Sequence, residues 1–158
     1  MQRSLPLRQV LTEEVSFNEA IHNLLFTIHL MKHLAIFNAA DAQKIFSGKR
    51  KVEGRFSQIK IPPFGKVYAG DIVLVKTPGE KILGQFIVDR VLYFDHPRQE
   101  EFKQIKRKYG KDLSLSATFW LDKEKINYVT LMFVKSVNKF IVAPQIAKKD
   151  LRPWVVLP

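Results

Sequence analysis

The chain contains no cysteine, and this absence excludes disulfide bonds and thiolate metal sites from all 158 residues. The sequence also lacks an uncharged apolar run of eighteen residues, which a membrane-spanning helix would need. It has no basic and then apolar segment of the kind that directs secretion at its start. These absences predict a cytoplasmic protein that does not contact a membrane.

Motifs for metal or cofactor chemistry are missing as well. The sequence has no glycine-rich phosphate loop, no nucleophile elbow and no internal repeat. Of its four histidines, only His29 and His33 are spaced as a helical pair, and no glutamate lies between them as in a metalloprotease helix. We therefore expect no metal site and no cofactor.

Positive charge is abundant: 26 Lys and Arg oppose 15 Asp and Glu, for a formal net charge of +11. Residues 1–30 hold only two Arg against three Glu, so the excess belongs to the rest of the chain. A surface this basic is typical of proteins that bind polyanions, of which nucleic acid is the commonest. The alternative is a lysine-rich surface that only solvates the protein.

Two segments follow from the pattern along the chain. Helical spacing predicts helices over 6–14 and 17–29, the second behind the capping box Ser16-Phe17-Asn18-Glu19. We interpret residues 1–30 as an N-terminal helical extension and 31–158 as one domain that opens with a strand over 31–37. An alternative is that Met31 begins the ancestral domain and that residues 1–30 are an added leader.

The domain is predicted to be α+β and mainly β. Asn38 caps a helix over 39–47 that Gly48 ends, and Pro62-Pro63 interrupts the next stretch as a loop. A helix over 97–109 is marked by Pro97 and by Gly110 after it. The remaining patterns predict strands over 72–75, 82–91, 127–134, 137–142 and 154–157, with a hairpin joining the third and fourth of these. Six strands of this kind indicate a small β-barrel with flanking helices.

Residues 48–55, Gly-Lys-Arg-Lys-Val-Glu-Gly-Arg, form the motif that is most informative about function. On an extended strand, the side chains of Lys51, Glu53 and Arg55 leave one face, whereas the residues between them leave the other. Glu53 between cations can accept hydrogen bonds from a base edge or a water, and Arg55 can hold a phosphate. The alternative is a salt-bridged outer face of a strand without a ligand.

Aromatic residues extend the candidate site. Tyr68, Trp120 and Tyr128 are candidates to stack on a base, although each is also a candidate for ordinary core packing. Two further basic patches, at Lys103, Arg107 and Lys111 and at Lys148, Lys149 and Arg152, have solvation as their alternative. The predicted nucleic-acid-binding set is Gly48, Lys49, Arg50, Lys51, Glu53, Arg55, Tyr68, Trp120 and Tyr128.

Gly48, Arg50, Glu53 and Arg55 resemble the G-x-K-x-x-E-x-R motif of ASCH domains, a branch of the PUA-like superfamily, with Arg50 where Lys is usual. The order of the surrounding elements is similar too, over roughly residues 31–157. The resemblance implies a PUA-like barrel with a cleft, roofed by the helix before the motif, that suits RNA, a nucleotide or a modified nucleoside. Relatives are regarded as RNA-binding regulators of transcription or translation.

Some members of that family are enzymes, so the resemblance also implies a hydrolase as an alternative. One branch hydrolyses acetylated cytidine with a Lys and a Thr of the motif, but this chain has Arg50 and Glu53 at those positions, which does not favour the same chemistry. For a ribonuclease, Glu53 would be the general base, with Lys51, Arg50 or Arg55 on the phosphate. A third alternative is a protein-interaction adaptor that uses the helix over 17–29. The sequence does not indicate an oligomeric state.

Overall fold

The computed structural model describes residues 30–121, 125–146 and 152–158. The helices predicted over 6–14 and 17–29 lie outside these ranges, as do Lys148 and Lys149. Residues Met31–Pro158 form one compact unit, and the division of the chain at residue 30 into an extension and a domain stays a prediction. Within the described ranges, no helix is long and apolar enough to cross a membrane.

The described residues form one mixed sheet and two α-helices. The sheet has the strand order β2-β5-β4-β3-β1-β6 and curls into a half-barrel. β1 pairs in parallel with β3, and every other pair in the sheet is antiparallel. The prediction of a mainly β, α+β fold with about six strands is confirmed. The elements in chain order are β1 (Lys32–Ile36), α1 (Ala39–Phe46), β2 (Val52–Ser57), β3 (Ile72–Lys76), β4 (Ile82–Asp95), α2 (Gln99–Leu113), a 3-10 helix (Thr118–Leu121), β5 (Tyr128–Lys139) and β6 (Trp154–Leu157).

The two helices pack against different core clusters. Ala42 and Ile45 of α1 pack with residues of five strands, among them Val75 and Met132. Phe102 and Leu113 of α2 belong to a second cluster. Because alternate residues of a strand face opposite sides of a sheet, β5 contributes Met132 to the first cluster and its neighbour Leu131 to the second. The sheet is therefore covered on both sides near β5.

The helix before the motif forms as its capping residues predict. The side chain of Asn38 accepts a hydrogen bond from the Asp41 backbone N–H at 2.8 Å, which satisfies one of the free donors of the first turn of α1. Beyond the last helical residue, Gly48 has a φ of 77°, which glycine adopts without steric cost. The chain thus leaves α1 in a tight turn and enters β2 directly.

The hairpin predicted over 127–142 is wrong. β5 is one strand that runs from Tyr128 to Lys139. Ser136 takes a positive φ of 49° within it, and the β4–β5 pairing shifts register at two places. Bulges of this kind bend a strand without ending it. The polar residues Lys135 and Ser136, which resemble a turn in the sequence, therefore lie within one long, bent strand.

The second helix is longer than predicted and starts later. α2 runs over Gln99–Leu113, with Arg98 at its N-cap and Gly110 inside it. The helix ends where Ser114 takes the left-handed conformation, with a φ of 50°. Leu113 is fully buried, so its packing offsets the roughly 1 kcal/mol that a glycine costs within a helix. This longer helix carries the chain to the region of the motif.

Candidate functional site

The motif residues separate into a buried group and an exposed group. Glu53 and Arg55 lie on one face of β2, and Glu53 is only 2% exposed. Lys51 precedes the strand and is exposed. Its N–H bonds to the Asp112 carbonyl, and its own carbonyl accepts from the Val134 N–H, which continues the β2–β5 pairing by one residue. That its side chain shares a face with Glu53 and Arg55 stays a prediction, and the two cations paired with Glu53 are Arg50 and Arg55.

Both oxygens of the Glu53 carboxylate are held by guanidinium groups. Oε2 accepts from Nη1 of Arg50 at 3.0 Å, and Oε1 accepts from Nε of Arg55 at 2.9 Å. Arg50 reaches a second carboxylate, since its Nη2 donates to Oδ1 of Asp41 in α1 at 2.6 Å. Charge-assisted hydrogen bonds of this kind are the strong ones, and together they tie the first turn of α1 to β2.

These charges compensate one another. Among the described residues, the charged groups that line the cleft beside the motif are two guanidinium groups, Arg50 and Arg55, and two carboxylates, Asp41 and Glu53. Arg50 is 4% exposed, and its buried Nε–H has no hydrogen-bond partner among the described residues. The cleft is therefore polar but close to neutral, although the sequence suggests a cationic phosphate site.

Arg55 connects the two open edges of the half-barrel. β2 is the edge strand at one end of the sheet, and β6, paired to β1, lies at the other. From β2, the Arg55 guanidinium donates from Nη2 to the Ile36 carbonyl of β1 at 3.1 Å. Its carbon Cζ lies 4.7 Å from the ring centre of Phe37 and 5.2 Å from that of Trp154. Within the described part of the chain, Nη1 makes no hydrogen bond, so Arg55 keeps free donors for a ligand.

A buried hydrogen-bond chain fixes the Trp154 ring beneath Arg55. The Trp154 indole N–H donates to Nδ1 of His33 at 3.2 Å, and Nε2 of His33 lies 3.0 Å from Oδ2 of Asp71. Since Nδ1 accepts, the ring proton is on Nε2, which donates to Asp71. Asp71 also accepts from the backbone N–H groups of Met31 and Tyr68 at 2.9 and 2.8 Å. This chain joins β1, β3 and β6 behind the site.

The cleft beside the motif has a volume of about 310 Å³. Its floor is β2, and its walls are the end of β1, the first turn of α1 and the segment that follows α2. Sequence reasoning missed several of its residues, because Asn38 and Asp41 are visible in the sequence only as helix-capping residues and the others carry no motif. The lining residues are Ile36, Phe37, Asn38, Asp41, Arg50, Glu53, Gly54, Arg55, Phe56, Leu115 and Phe119.

None of the three predicted stacking residues lines this cleft. Trp120 is 5% exposed and packs edge-on against Phe56 and Phe119 in the second core cluster. Tyr128 packs edge-on against Phe64, at 5.0 Å between ring centres. Tyr68 is 52% exposed on the surface. The aromatic residues of the cleft are instead Phe37, Phe56 and Phe119.

The turn between α1 and β2 presents the uncompensated cations of the motif. Gly48, Lys49 and Lys51 are all exposed. Within the described ranges, neither lysine has a carboxylate within 4 Å. These lysines are therefore available to a phosphate, whereas Arg50 is buried and Arg55, at 20% exposure, is paired with Glu53. No group of three His, Cys, Asp or Glu that could hold a metal ion occurs among the described residues.

Comparison with solved structures identifies the fold. The structure of ASCH from Zymomonas mobilis is 18% identical and has a TM-score of 0.54, with 68% of this chain and 69% of that one covered. A tyrosine-to-phenylalanine mutant of ZmASCH from the same organism is 17% identical over 80% of this chain and 90% of its own, with a TM-score of 0.60. A serine-to-alanine mutant of ZmASCH is 16% identical over 80% of this chain and 88% of its own, with a TM-score of 0.59.

The chain therefore has an ASCH-type fold, as the 48–55 motif predicts. No family model and no curated protein matches its sequence. A fold of this kind hosts sites of different chemistry, so the function has to be argued from the cleft itself.

Proposed function

We propose that this protein is an RNA- or nucleotide-binding module that holds a base in the cleft beside the motif. The observation that carries the proposal is a carboxylate fixed between two arginines on the floor of a cleft with apolar walls. Ligand sites are mostly apolar concavities of about 300–1,000 Å³ with a few precisely placed polar groups. The cleft, at about 310 Å³, lies at the lower end of this range.

The chemistry of the floor suits an uncharged polar group. Glu53 uses one lone pair of each oxygen on the arginines and retains acceptor capacity, while Arg55 retains donors. The edge of a base presents hydrogen-bond donors and acceptors side by side, so it can bond both to the Glu53 carboxylate, which accepts, and to the Arg55 guanidinium, which donates. Phe119, which is only partly buried, offers a ring against which a base can stack for about 1–3 kcal/mol.

In this proposal, the exposed lysines Lys49 and Lys51 bind the phosphate groups. Lys49 and Lys51 stand at the turn that leads into β2, next to the cleft floor, and they carry charge that no described carboxylate compensates. The net charge of +11 supports attraction of a polyanion over a longer range. In this arrangement the cleft binds the base, and the exposed lysines beside it bind the phosphate backbone of the RNA.

The test is anisotropy of a labelled RNA hairpin with a single-stranded loop, titrated across a range of salt concentrations. Lys51→Ala should weaken binding and lower the slope of log K against log salt by about 0.7–0.9, the value for one lost phosphate contact. Lys103→Ala is the matched control, because Lys103 is also exposed but lies in the N-terminal half of α2, where it pairs with Glu100 at 3.7 Å. No binding at physiological salt, or equal effects of the two variants, would contradict the proposal.

A competition experiment tests the cleft separately. Unlabelled nucleosides should displace the RNA, whereas inorganic phosphate at the same concentration and ionic strength should not, because the cleft is close to neutral. Displacement by phosphate alone would show that the bound group is an anion and would contradict the assignment of the base to the cleft.

The geometry does not favour Glu53 as a general base. Both of its oxygens already accept from guanidinium groups, and Lys51, its predicted catalytic partner, is exposed outside the buried network. The hydrolase alternative thus stays a prediction from the resemblance. The adaptor alternative concerns residues 17–29, which lie outside the described residues.

A further inference from the structure

A second cavity shares Arg55 and Phe56 with the lining of the cleft. Its volume is about 130 Å³, and we call it the side slot. Arg55 and Phe56 of β2, Thr130 of β5, the loop residues 61–64 and Trp154 of β6 surround it. The two edge strands of the half-barrel, β2 and β6, both line the slot, and Arg55 lines both the slot and the cleft.

Thr130 supplies an unused polar group to the slot. It pairs directly with Arg55 across the β2–β5 ladder, so both side chains leave the same face of the sheet. Thr130 is only 1% exposed as a residue, and none of the side-chain hydrogen bonds among the described residues involves its hydroxyl. Among these residues Arg50 Nε is the fully buried side-chain polar atom without a partner, so the Thr130 hydroxyl is not sealed off and can bond a molecule in the slot. Arg55 adds the free donors of its Nη1 to the same slot.

The size and walls of the slot select its occupant. An apolar cavity of about 150 Å³ holds a benzene molecule, so a slot of this volume accommodates one six-membered ring and not two fused rings. Phe64 and Trp154 line it with aromatic surface, and Pro62 and Pro63 add flat apolar surface. The polar side chains of its lining are Ser57, whose hydroxyl donates to the Ile59 carbonyl at 2.9 Å, Thr130 and Arg55. The Thr130 hydroxyl and the Arg55 guanidinium match a carbonyl on the edge of such a ring.

We propose that the side slot is a pyrimidine-base subsite, in which Thr130 and Arg55 hydrogen-bond a carbonyl of the base. The inference rests on the proposed RNA-binding function and adds a preference to it. One base occupies the cleft and a neighbouring pyrimidine occupies the slot, with the Arg55 guanidinium between them. A two-ring purine does not fit the slot.

The experiment compares fluorescein-labelled oligouridine and oligoadenosine of eight nucleotides by anisotropy. The wild-type protein should bind oligouridine more tightly. Thr130→Val keeps the shape and removes the hydroxyl, and it should weaken oligouridine binding about two- to tenfold, the range for one hydrogen bond, while oligoadenosine binding is unchanged. Thr130→Ser retains the hydroxyl and should retain most of the preference.

Thr77→Val is the matched control, since Thr77 is also buried, at 6% exposure, but lies at the end of β3 and lines none of these cavities. Because the Thr130 hydroxyl has no partner within the described residues, urea unfolding should show Thr130→Val to be as stable as the wild type.

The outcomes separate the two proposals. Equal binding of both oligonucleotides, or oligouridine binding that Thr130→Val leaves unchanged, overturns the pyrimidine subsite and means that water satisfies the hydroxyl, while RNA binding itself stands. Equal weakening of both oligonucleotides by Thr130→Val also overturns it, because the effect would then be a general disturbance of the site. If the wild-type protein binds neither these oligonucleotides nor the RNA hairpin at physiological salt, the proposed function fails.

Discussion

Replacing Glu53 with glutamine should destabilise the folded protein strongly, although the two side chains have nearly the same shape. The glutamine amide has only one oxygen to accept hydrogen bonds, and its NH₂ group would face a guanidinium N–H of Arg50 or Arg55. Of the carboxylates in the described part of the chain, Arg50, at 4% exposure, would then be paired only with that of Asp41.

The expected cost follows from the burial of the network. Removing one partner of a buried ion pair costs about 3–5 kcal/mol, because the other charge stays buried without compensation. Arg50 retains Asp41, and Arg55 retains the Ile36 carbonyl, so we expect a value near the lower end, about 3 kcal/mol. This is a large part of the roughly 5–15 kcal/mol that stabilises a typical domain.

Equilibrium unfolding in urea, followed by tryptophan fluorescence, measures the effect. With m-values of about 1–3 kcal/mol per molar urea, the midpoint should fall by about 1–3 M. The matched control is Glu80→Gln, the same chemical change at an exposed position in the turn before β4, which should alter the free energy of unfolding by less than about 0.5 kcal/mol. If the two variants unfold at the same urea concentration, the reasoning about a buried, compensated carboxylate is refuted.

This prediction also governs how binding data on Glu53→Gln are interpreted. A loss of RNA affinity or of any turnover in this variant has no bearing on the role of the carboxylate unless the folded fraction is measured under the same conditions. Lys51→Ala is the safer probe of function, because Lys51 is exposed and has no described ion pair to lose.

Two further predictions test the packing around the site. Gly84→Ala should lower the free energy of unfolding by about 1–3 kcal/mol, because the added Cβ would lie 2.2 Å from the Asn138 carbonyl oxygen and 2.6 Å from the Phe46 ring. A thermal midpoint equal to that of the wild type would contradict this and show that the strands accommodate the methyl group. Tyr93→Phe should cost about 1–3 kcal/mol in urea unfolding, because the phenol bonds both the N–H and the carbonyl of Val67. Burial raises the pKa of the Tyr93 phenol. The phenol therefore contributes fully to the free energy of unfolding below about pH 10, and this contribution is lost as the pH rises further. If the destabilisation by Tyr93→Phe stayed the same at higher pH, this account would be wrong.

Much of the domain could be predicted because local patterns and tertiary packing agree. Asn38 and Gly48 bracket α1 as their backbone preferences require, and the alternation within 52–57 produces a strand with one packed face. The two failures, at β5 and at the end of α2, arise where packing overrides a local signal. A bulge carries β5 past Ser136, and the burial of Leu113 carries α2 past Gly110.

The sequence by itself determined the elements, the basic character and the motif with its resemblance to ASCH domains, because these depend on neighbouring residues and on composition. The character of the site depended on the tertiary structure. Asp41 neutralises Arg50 from nine positions away, and Trp154 reaches Arg55 from the far edge of the curled sheet. Such contacts depend on how the sheet curls and where α1 packs. No local pattern therefore indicates that the arginines are compensated, that Lys49 and Lys51 are exposed without a described carboxylate beside them, or that Thr130 lines a cavity.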